Sequence, residues 1–472
     1  MSTWEWDPLH NFFSRIPYQR IPAELCKNGV NHLTITRNSN LKIILNTISP
    51  PQPPRQHDPR PLGDVYINDT NLKIDYITGT VSLTGLFLSN SETSQKEHET
   101  FTTDTYQVHT ALYKSHTKAP VDFTIDHIAN IPSHYIFPDN SRFNKTTIKS
   151  VEYPDLPSLN ISTQASISHS TQCIHLQIND QPITLGPLKV ENSIIKEPGY
   201  ILYLGNPGES IRRETREALS FALGLPLVYF GHSCHAFNGQ LIEFSGVSPH
   251  TFGERAWTLP SLPPAPITDS SAGYPILNAS LVERIANGLL TASPSYNLST
   301  LPWRLWYAES SPYFMKPAYY GALIEALQRT YLEVNHASIS STIIPKPEYR
   351  KIRKLISRLL EKQEYDPIST KLLSDKLNHG NDAPQRIIAS RFYAHLDLEL
   401  GDAELSAWNK RNDAAHGNKI PDNSEIAFIR ETKILKNILN RILLKITNGS
   451  DHYIDYFTLG HPTRHLTDSI PD

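Results

Sequence analysis

The chain has 472 residues, of which 39% are hydrophobic and 19% charged, and its formal net charge is −3. That length provides for several domains and a sizeable core, and apolar residues spread along the whole chain exclude an intrinsically disordered protein. The near-neutral balance excludes a global positive field, so any nucleic-acid binding must rest on a local patch.

The N-terminal MSTWEWDPLHNFF has no basic segment leading into an apolar run, so no secretory signal is expected. The most apolar stretch, FALGLPLVYF (221–230), is too short to span a bilayer and contains Pro226, so no membrane partner is expected. Cys26, Cys173 and Cys234 are widely separated and form no Cys-x-x-Cys pair. A disulfide framework or a cysteine-based zinc site is therefore not expected, and a reducing, cytoplasmic setting fits.

In chain order, residues 1–200 read as a β-rich domain of sandwich or open-barrel type. HLTITRNSNLKIILNTI (32–48) alternates like two strands around an Asn-Ser-Asn turn. GDVYIND, KIDYITGTVSLTGLFLSN and TYQVHTALY are further strand candidates, rich in Val, Ile, Thr and Tyr. The prolines of PPQPPRQHDPRP (50–61) predict an extended surface loop.

Residues 201–300 read as a small mixed α/β module with a Pro-rich linker at 249–275. GNPGESIRRETREALSFALG predicts a turn and then a helix, capped by Ser210, with Ala218, Leu219 and Ala222 on its apolar stripe. The turn lacks the Gly-Lys-Ser/Thr ending of a phosphate-binding loop, so a plain turn is expected. LPLVYF and QLIEFSG (240–246) read as strands. Between them, HSCH (232–235) offers zinc-type ligands, but no second ligand pair stands at a recognised spacing. A loop is expected there, and neither a metal nor another cofactor is.

Residues 301–472 read as an all-α bundle of four to five helices, at 316–334, 347–362, 383–396, 403–417 and 425–447. The second of these sets Ile352, Leu355, Ile356, Leu359 and Leu360 opposite a basic face. Arg350, Arg353, Lys354 and Arg358 on that face are candidate contacts to an RNA backbone, the plain alternative being a solvated surface. Glu325, on the first helix, is expected on a wet face rather than against the candidate site. Tyr453 and Tyr456 in the tail either stack on RNA or, as expected here, pack onto the bundle.

WNKRNDAAHGNK (408–419) holds the residues with the most chemical content. Histidine moves protons near neutrality, and arginine stabilises charge developing on phosphate. Arg411 and His416, with Asn412 between them, have the types needed to cleave RNA without metal by attack of the adjacent 2′-hydroxyl. Residues five apart on a helix lie about 140° apart, so the pair can meet only at a helix end or bend, or across a dimer axis. The plain alternative is a basic helix end closed by Gly417.

RNDAAHG within a C-terminal helical bundle resembles the HEPN superfamily, whose motif is Arg, a polar residue, three further residues and His. Arg411, Asn412 and His416 match it, and the resemblance covers roughly residues 305–472. It implies an all-α domain that forms a homodimer or higher oligomer and, in active members, a metal-independent endoribonuclease with Arg411, His416 and Asn412 in its site. It also leaves room for a non-catalytic member whose bundle only dimerises while the chain binds or senses. A β-rich region ahead of such a domain is similar to prokaryotic abortive-infection and anti-phage proteins, which implies RNA as substrate and a phage-derived or nucleotide trigger for the N-terminal part. The expected fold class is thus an α+β multidomain chain with a β-rich region, an α/β middle module and a HEPN-like bundle.

Overall fold

The structure is a computed structural model that describes residues 18–20, 29–38, 41–51, 71–96, 99–153, 156–188, 195–249, 259–269, 273–363, 365–415 and 425–471. The expected strand GDVYIND and nearly all of the proline-rich 50–61 loop lie outside the described residues. The chain divides into two compact units, Met1–Pro263 with Ile267–Asn287, and Pro264–Pro266 with Gly288–Asp472.

The first unit is built from antiparallel strands: β1 (Tyr18–Arg20), β2 (His32–Arg37), β3 (Ile43–Ser49), β4 (Leu72–Tyr76), β5 (Gly79–Thr84), β6 (Phe87–Lys96), β7 (Glu99–Val108) and β8 (Thr110–Ser115). They are followed by β9 (Phe123–Ala129), β10 (Asp139–Tyr153), β11 (Leu156–Ile178), β12 (Gln181–Pro187), β13 (Gly199–Leu204), β14 (Val228–His235) and β15 (Leu241–Val247). Eleven of them form one sheet in the order β1-β4-β5-β8-β15-β14-β9-β13-β12-β11-β10, and four form a second in the order β2-β3-β7-β6.

Alternation explains what these sheets bury. In β3, Ile43, Leu45, Thr47 and Ser49 point inward while their neighbours are partly exposed, and in β4 Leu72, Ile74 and Tyr76 do the same. Ile43 and Leu45 of β3 and Leu72, Ile74 and Tyr76 of β4, with Leu33 and Ile35 of β2, Val81 and Leu83 of β5, Ile125 of β9 and Phe230 and Phe244 of the β14–β15 pair, make one apolar core drawn from both sheets. The strands expected at 32–48 are β2 and β3, paired from Arg37↔Ile43 outward.

Among the described residues, 201–300 form no compact unit of their own. β13, β14 and β15 lie in the centre of the large sheet, with β14 and β15 between β9 and β8, because each has a partner among strands from the first 130 residues, β9 for β13 and β14 and β8 for β15. HSCH is therefore part of β14 and not a loop. Helix α1 (Glu209–Leu223) buries Ala218, Leu219 and Ala222 as expected, but its N-cap is Gly208, and Ser210 lies inside the first turn. Glu209 takes the favourable acidic place at the positive end of the helix. Gly224 closes it at φ +70°, where a Cβ would stand 2.1 Å from the backbone of Leu262 and Pro263.

The division between the units falls within helix α2 (Ala279–Tyr296). The second unit continues with α3 (Leu301–Ser310), α4 (Lys316–Val334), α5 (Lys346–Glu361), α6 (Pro367–His379), α7 (Gln385–His395), α8 (Asp402–Ala415) and α9 (Glu425–Thr447). α4 packs against α3, α8 and α9, and α9 also packs against α8. Along α9, Ile434, Leu435, Ile438, Leu439, Ile442 and Leu443 are buried at the spacing of one helix face. Of the helices not expected, α6 carries a readable start: the Asp366 side chain accepts from the backbone N–H groups of Ile368 and Ser369, and Pro367 opens the helix.

The apolar stripe expected on the 347–362 helix, α5, is present but is not covered. Ile352, Leu355 and Leu359 are exposed, and neither α5 nor α6 contains a buried residue. α5 packs on α6, with Tyr349 Oη donating to the Leu377 carbonyl at 2.7 Å. A helical hairpin that packs on itself leaves its outer apolar stripe in solvent. Among the described residues no helix is long and apolar enough to cross a membrane.

Candidate functional site

Helix α8 turns Glu404, Ala407, Trp408 and Arg411 inward, a spacing that puts all four on one buried face. Two of the four are charged, so the stripe does not read as a core face in sequence. Each charge has a partner on a neighbouring helix. At one end Glu404 Oε1 meets Arg441 Nη1 of α9 at 2.5 Å, with both side chains fully buried. Burial raises the Glu404 carboxyl above its ordinary value, and Arg441 offsets that only in part.

At the other end Arg411 is held on three sides. Its Nη2 meets Glu325 Oε1 of α4 at 2.5 Å, and its Nη1 donates to the Trp408 carbonyl at 2.6 Å. The guanidinium centre lies 3.5 Å from the Trp408 ring centroid, a cation–π contact. α4 makes room for the stem with a glycine. A Cβ on Gly321, one turn before Glu325, would stand 2.9 Å from Arg411 Cδ. Glycine inside a helix costs about 1 kcal/mol against alanine, and here the close approach of α8 accounts for it. Glu325, expected on a wet face, is only half-exposed and is the partner of Arg411.

Asn412 follows Arg411 on α8, which is described through Ala415. His416 lies outside the described residues. The structure therefore gives the seat of Arg411 and not its relation to His416. Arg350, Arg353, Lys354 and Arg358 are all exposed on α5, with Arg353 Nη1 donating to Asn378 Oδ1 at 3.0 Å. The tail is packed: Tyr453, in a hairpin of His452–Ile454 and Thr463–His465, and Tyr456 are buried, and Arg464 Nε meets the buried Asp455 at 2.8 Å.

A second polar cluster, absent from the sequence reading, lies in the β-rich unit. Asp126 on β9 is 0% exposed and faces α1. Arg212 Nε lies 3.3 Å from its Oδ1, and Arg216 Nη1 donates to its Oδ2. Both arginines also meet Glu209, by Nη2 of Arg212 at 2.7 Å and Nη2 of Arg216 at 2.5 Å. The Arg216 guanidinium rests 3.9 Å from the Tyr229 ring centroid. Burial disfavours its charge, but Asp126 and Glu209 outweigh that and hold it well above the ordinary arginine value. The arrangement clamps α1 onto the sheet. Its one signal in sequence is the four-residue spacing of Arg212 and Arg216, which places them on one helix face.

No protein-family model, no curated protein and no solved structure matches the chain.

Proposed function

We propose that the helical unit is a metal-independent endoribonuclease of the HEPN type, working in the cytoplasm as a defence effector that the β-rich unit restrains until a trigger binds. The observation that supports this most is the seat of Arg411: a cation fixed by Glu325, Trp408 and Gly321 within the one segment that carries an Arg-Asn-x-x-x-His pattern. A pre-set guanidinium needs no reorganisation when charge develops on a phosphate.

In this mechanism His416 takes the proton of the 2′-hydroxyl as its oxygen attacks the adjacent phosphorus. His416 of a second copy protonates the departing 5′-oxygen, and Arg411 stabilises the pentavalent transition state. Asn412 supports the imidazole or a phosphate oxygen. The products are a 2′,3′-cyclic phosphate and a 5′-hydroxyl. DNA is not cleaved because it lacks the 2′-hydroxyl. The exposed basic face of α5 offers Arg350, Arg353, Lys354 and Arg358 to the RNA backbone.

A second reading has its own support. Both terminal nitrogens of Arg411 already have internal acceptors, which is how an arginine that merely pins α8 to α4 would look. The bundle would then dimerise without cutting, and the chain would bind or sense.

Purified protein incubated with RNA in EDTA separates the two. The nuclease reading expects cyclic-phosphate products from wild type and a loss of about 100-fold or more in His416→Ala, the usual contribution of a general acid–base. Arg411→Lys should also lose activity, since lysine lacks the planar fork. Cleavage unchanged in His416→Ala refutes the reading. Absence of both cleavage and toxicity on expression of wild type favours the sensor.

A further inference from the structure

We propose that His232, Cys234 and Glu243 form a site for a divalent transition metal of the zinc class on the α1-facing side of the large sheet. The inference is independent of the nuclease reading. Its basis is strand geometry. His232 and Cys234 are two apart on β14 and so project to the same side. Cys234 pairs directly with Glu243 on β15, which brings a carboxylate to that same side. One ligand atom from each of the three lies within 4.8 Å of the other two.

The details fit a metal better than a chance cluster. His232 Nε2 lies 3.1 Å from Glu243 Oε1. Tetrahedral zinc with ordinary bond lengths sets its ligand atoms about 3.3–3.6 Å apart, so the imidazole and carboxylate already stand near that spacing and the sulfur needs a shift of about 1 Å. The other ring nitrogen is held: His232 Nδ1 and Tyr229 Oη are 2.7 Å apart. Such a partner fixes tautomer and ring orientation in metal-ligating histidines. Tyr229 is in turn covered by Arg216. Glu243 Oε2 faces Lys114 Nζ at 3.4 Å, leaving Oε1 as the one oxygen for the ion. His232 and Cys234 are buried while Glu243 is partly exposed, which gives an entry path.

The donor set selects the ion. One imidazole nitrogen, one thiolate and one carboxylate suit zinc or cobalt, whereas a thiolate is a poor ligand for magnesium or calcium. Binding displaces the Cys234 thiol proton to solvent. The imidazole ligates through Nε2, with its one N–H on Nδ1 directed at Tyr229 Oη. Thiolate and carboxylate neutralise the double charge, and the fourth position is left to water. The neighbouring His235, although part of the same HSCH, is excluded. It projects to the other side of the sheet, stacked on Phe123 with ring centroids 5.0 Å apart.

The test uses the full-length chain, stripped with a chelator under reducing conditions and titrated with cobalt(II). One equivalent should bind with a sulfur-to-cobalt charge-transfer band and the intense visible bands of a tetrahedral ion, and zinc(II) should bleach both. Cys234→Ser should abolish the charge-transfer band. Tyr229→Phe should weaken affinity by about 10- to 100-fold, the usual cost of losing such a partner. His235→Asn and Cys173→Ser should leave the spectrum unchanged. A chain that binds neither ion at stoichiometric concentration overturns the proposal, as does a band that survives Cys234→Ser. Should that variant fail to fold, Glu243→Gln decides, because its side chain is partly exposed: affinity for cobalt equal to wild type overturns the site.

Discussion

The Asp126 clamp makes a quantitative prediction, because its two carboxylates share the same arginines in different surroundings. Asp126 is 0% exposed and Glu209 is 53% exposed at the side chain. Replacing Asp126 by Asn leaves two buried guanidiniums with only the peripheral Glu209 to neutralise them. Breaking a buried pair in this way costs about 3–5 kcal/mol, most of it the uncompensated charge. Glu209→Gln removes the same two contacts in sight of water, where screening limits an ion pair to about 1 kcal/mol or less. Urea unfolding followed by circular dichroism measures both. With an unchanged slope, the midpoint of the transition assigned to the β-rich unit should move several-fold further for Asp126→Asn than for Glu209→Gln. Equal shifts, or a loss below about 1 kcal/mol for Asp126→Asn, would refute the assignment of this cluster as a buried electrostatic clamp.

His127 supplies a pH dependence. Burial, and then the nearby His232, His235 and Arg37, lower its pKa to about 3. Between that value and the unfolded value near 6.5, the unfolded chain takes up a proton that the folded chain refuses. Stability should therefore be full above about pH 6.5 and fall as the pH drops, by up to about 1.4 kcal/mol per unit. Relative to His127→Gln, wild type should lose about 2 kcal/mol more between pH 7 and 5, and parallel profiles would count against it. On α5, Leu355 and Leu359 are 60% and 61% exposed. Leu355→Ser and Leu359→Ser should each change thermal stability by less than about 0.5 kcal/mol, whereas a buried leucine at either position would cost several times that.

Local pattern was a good guide wherever the energetics are local. Alternation in 32–48 and 72–83 predicts strands because one face of each is core, and β2 to β5 follow it. The helix at 316–334 and the one at 425–447 are found where their apolar spacing puts them, since each buries a continuous stripe. On α5 the same spacing marks the helix but not its burial. Periodicity reports that a helix has an apolar side, but not whether another element will cover it. On α8 the helix is found, but its buried face is half charged, and that face becomes legible only through the partners Arg441 and Glu325 from two other helices.

Chain order misled the domain reading for a related reason. β13 to β15 follow a helix and read as a new module, yet their hydrogen-bonding partners are β8, β9 and β12. Nothing in the strands themselves names those partners. The sequence by itself determined most of the element types, the passage from β-rich to helical, and the residue kinds at hand for chemistry, Arg411, Asn412 and His416 among them. Only the tertiary structure decided which charges are buried against which. It brought Glu325 to Arg411 across 86 positions, Asp126 beneath Arg212 and Arg216, and Glu243 beside His232 and Cys234. Ion pairing and metal ligation act over a few ångströms in space, and strand pairing and helix packing, not spacing along the chain, set those distances.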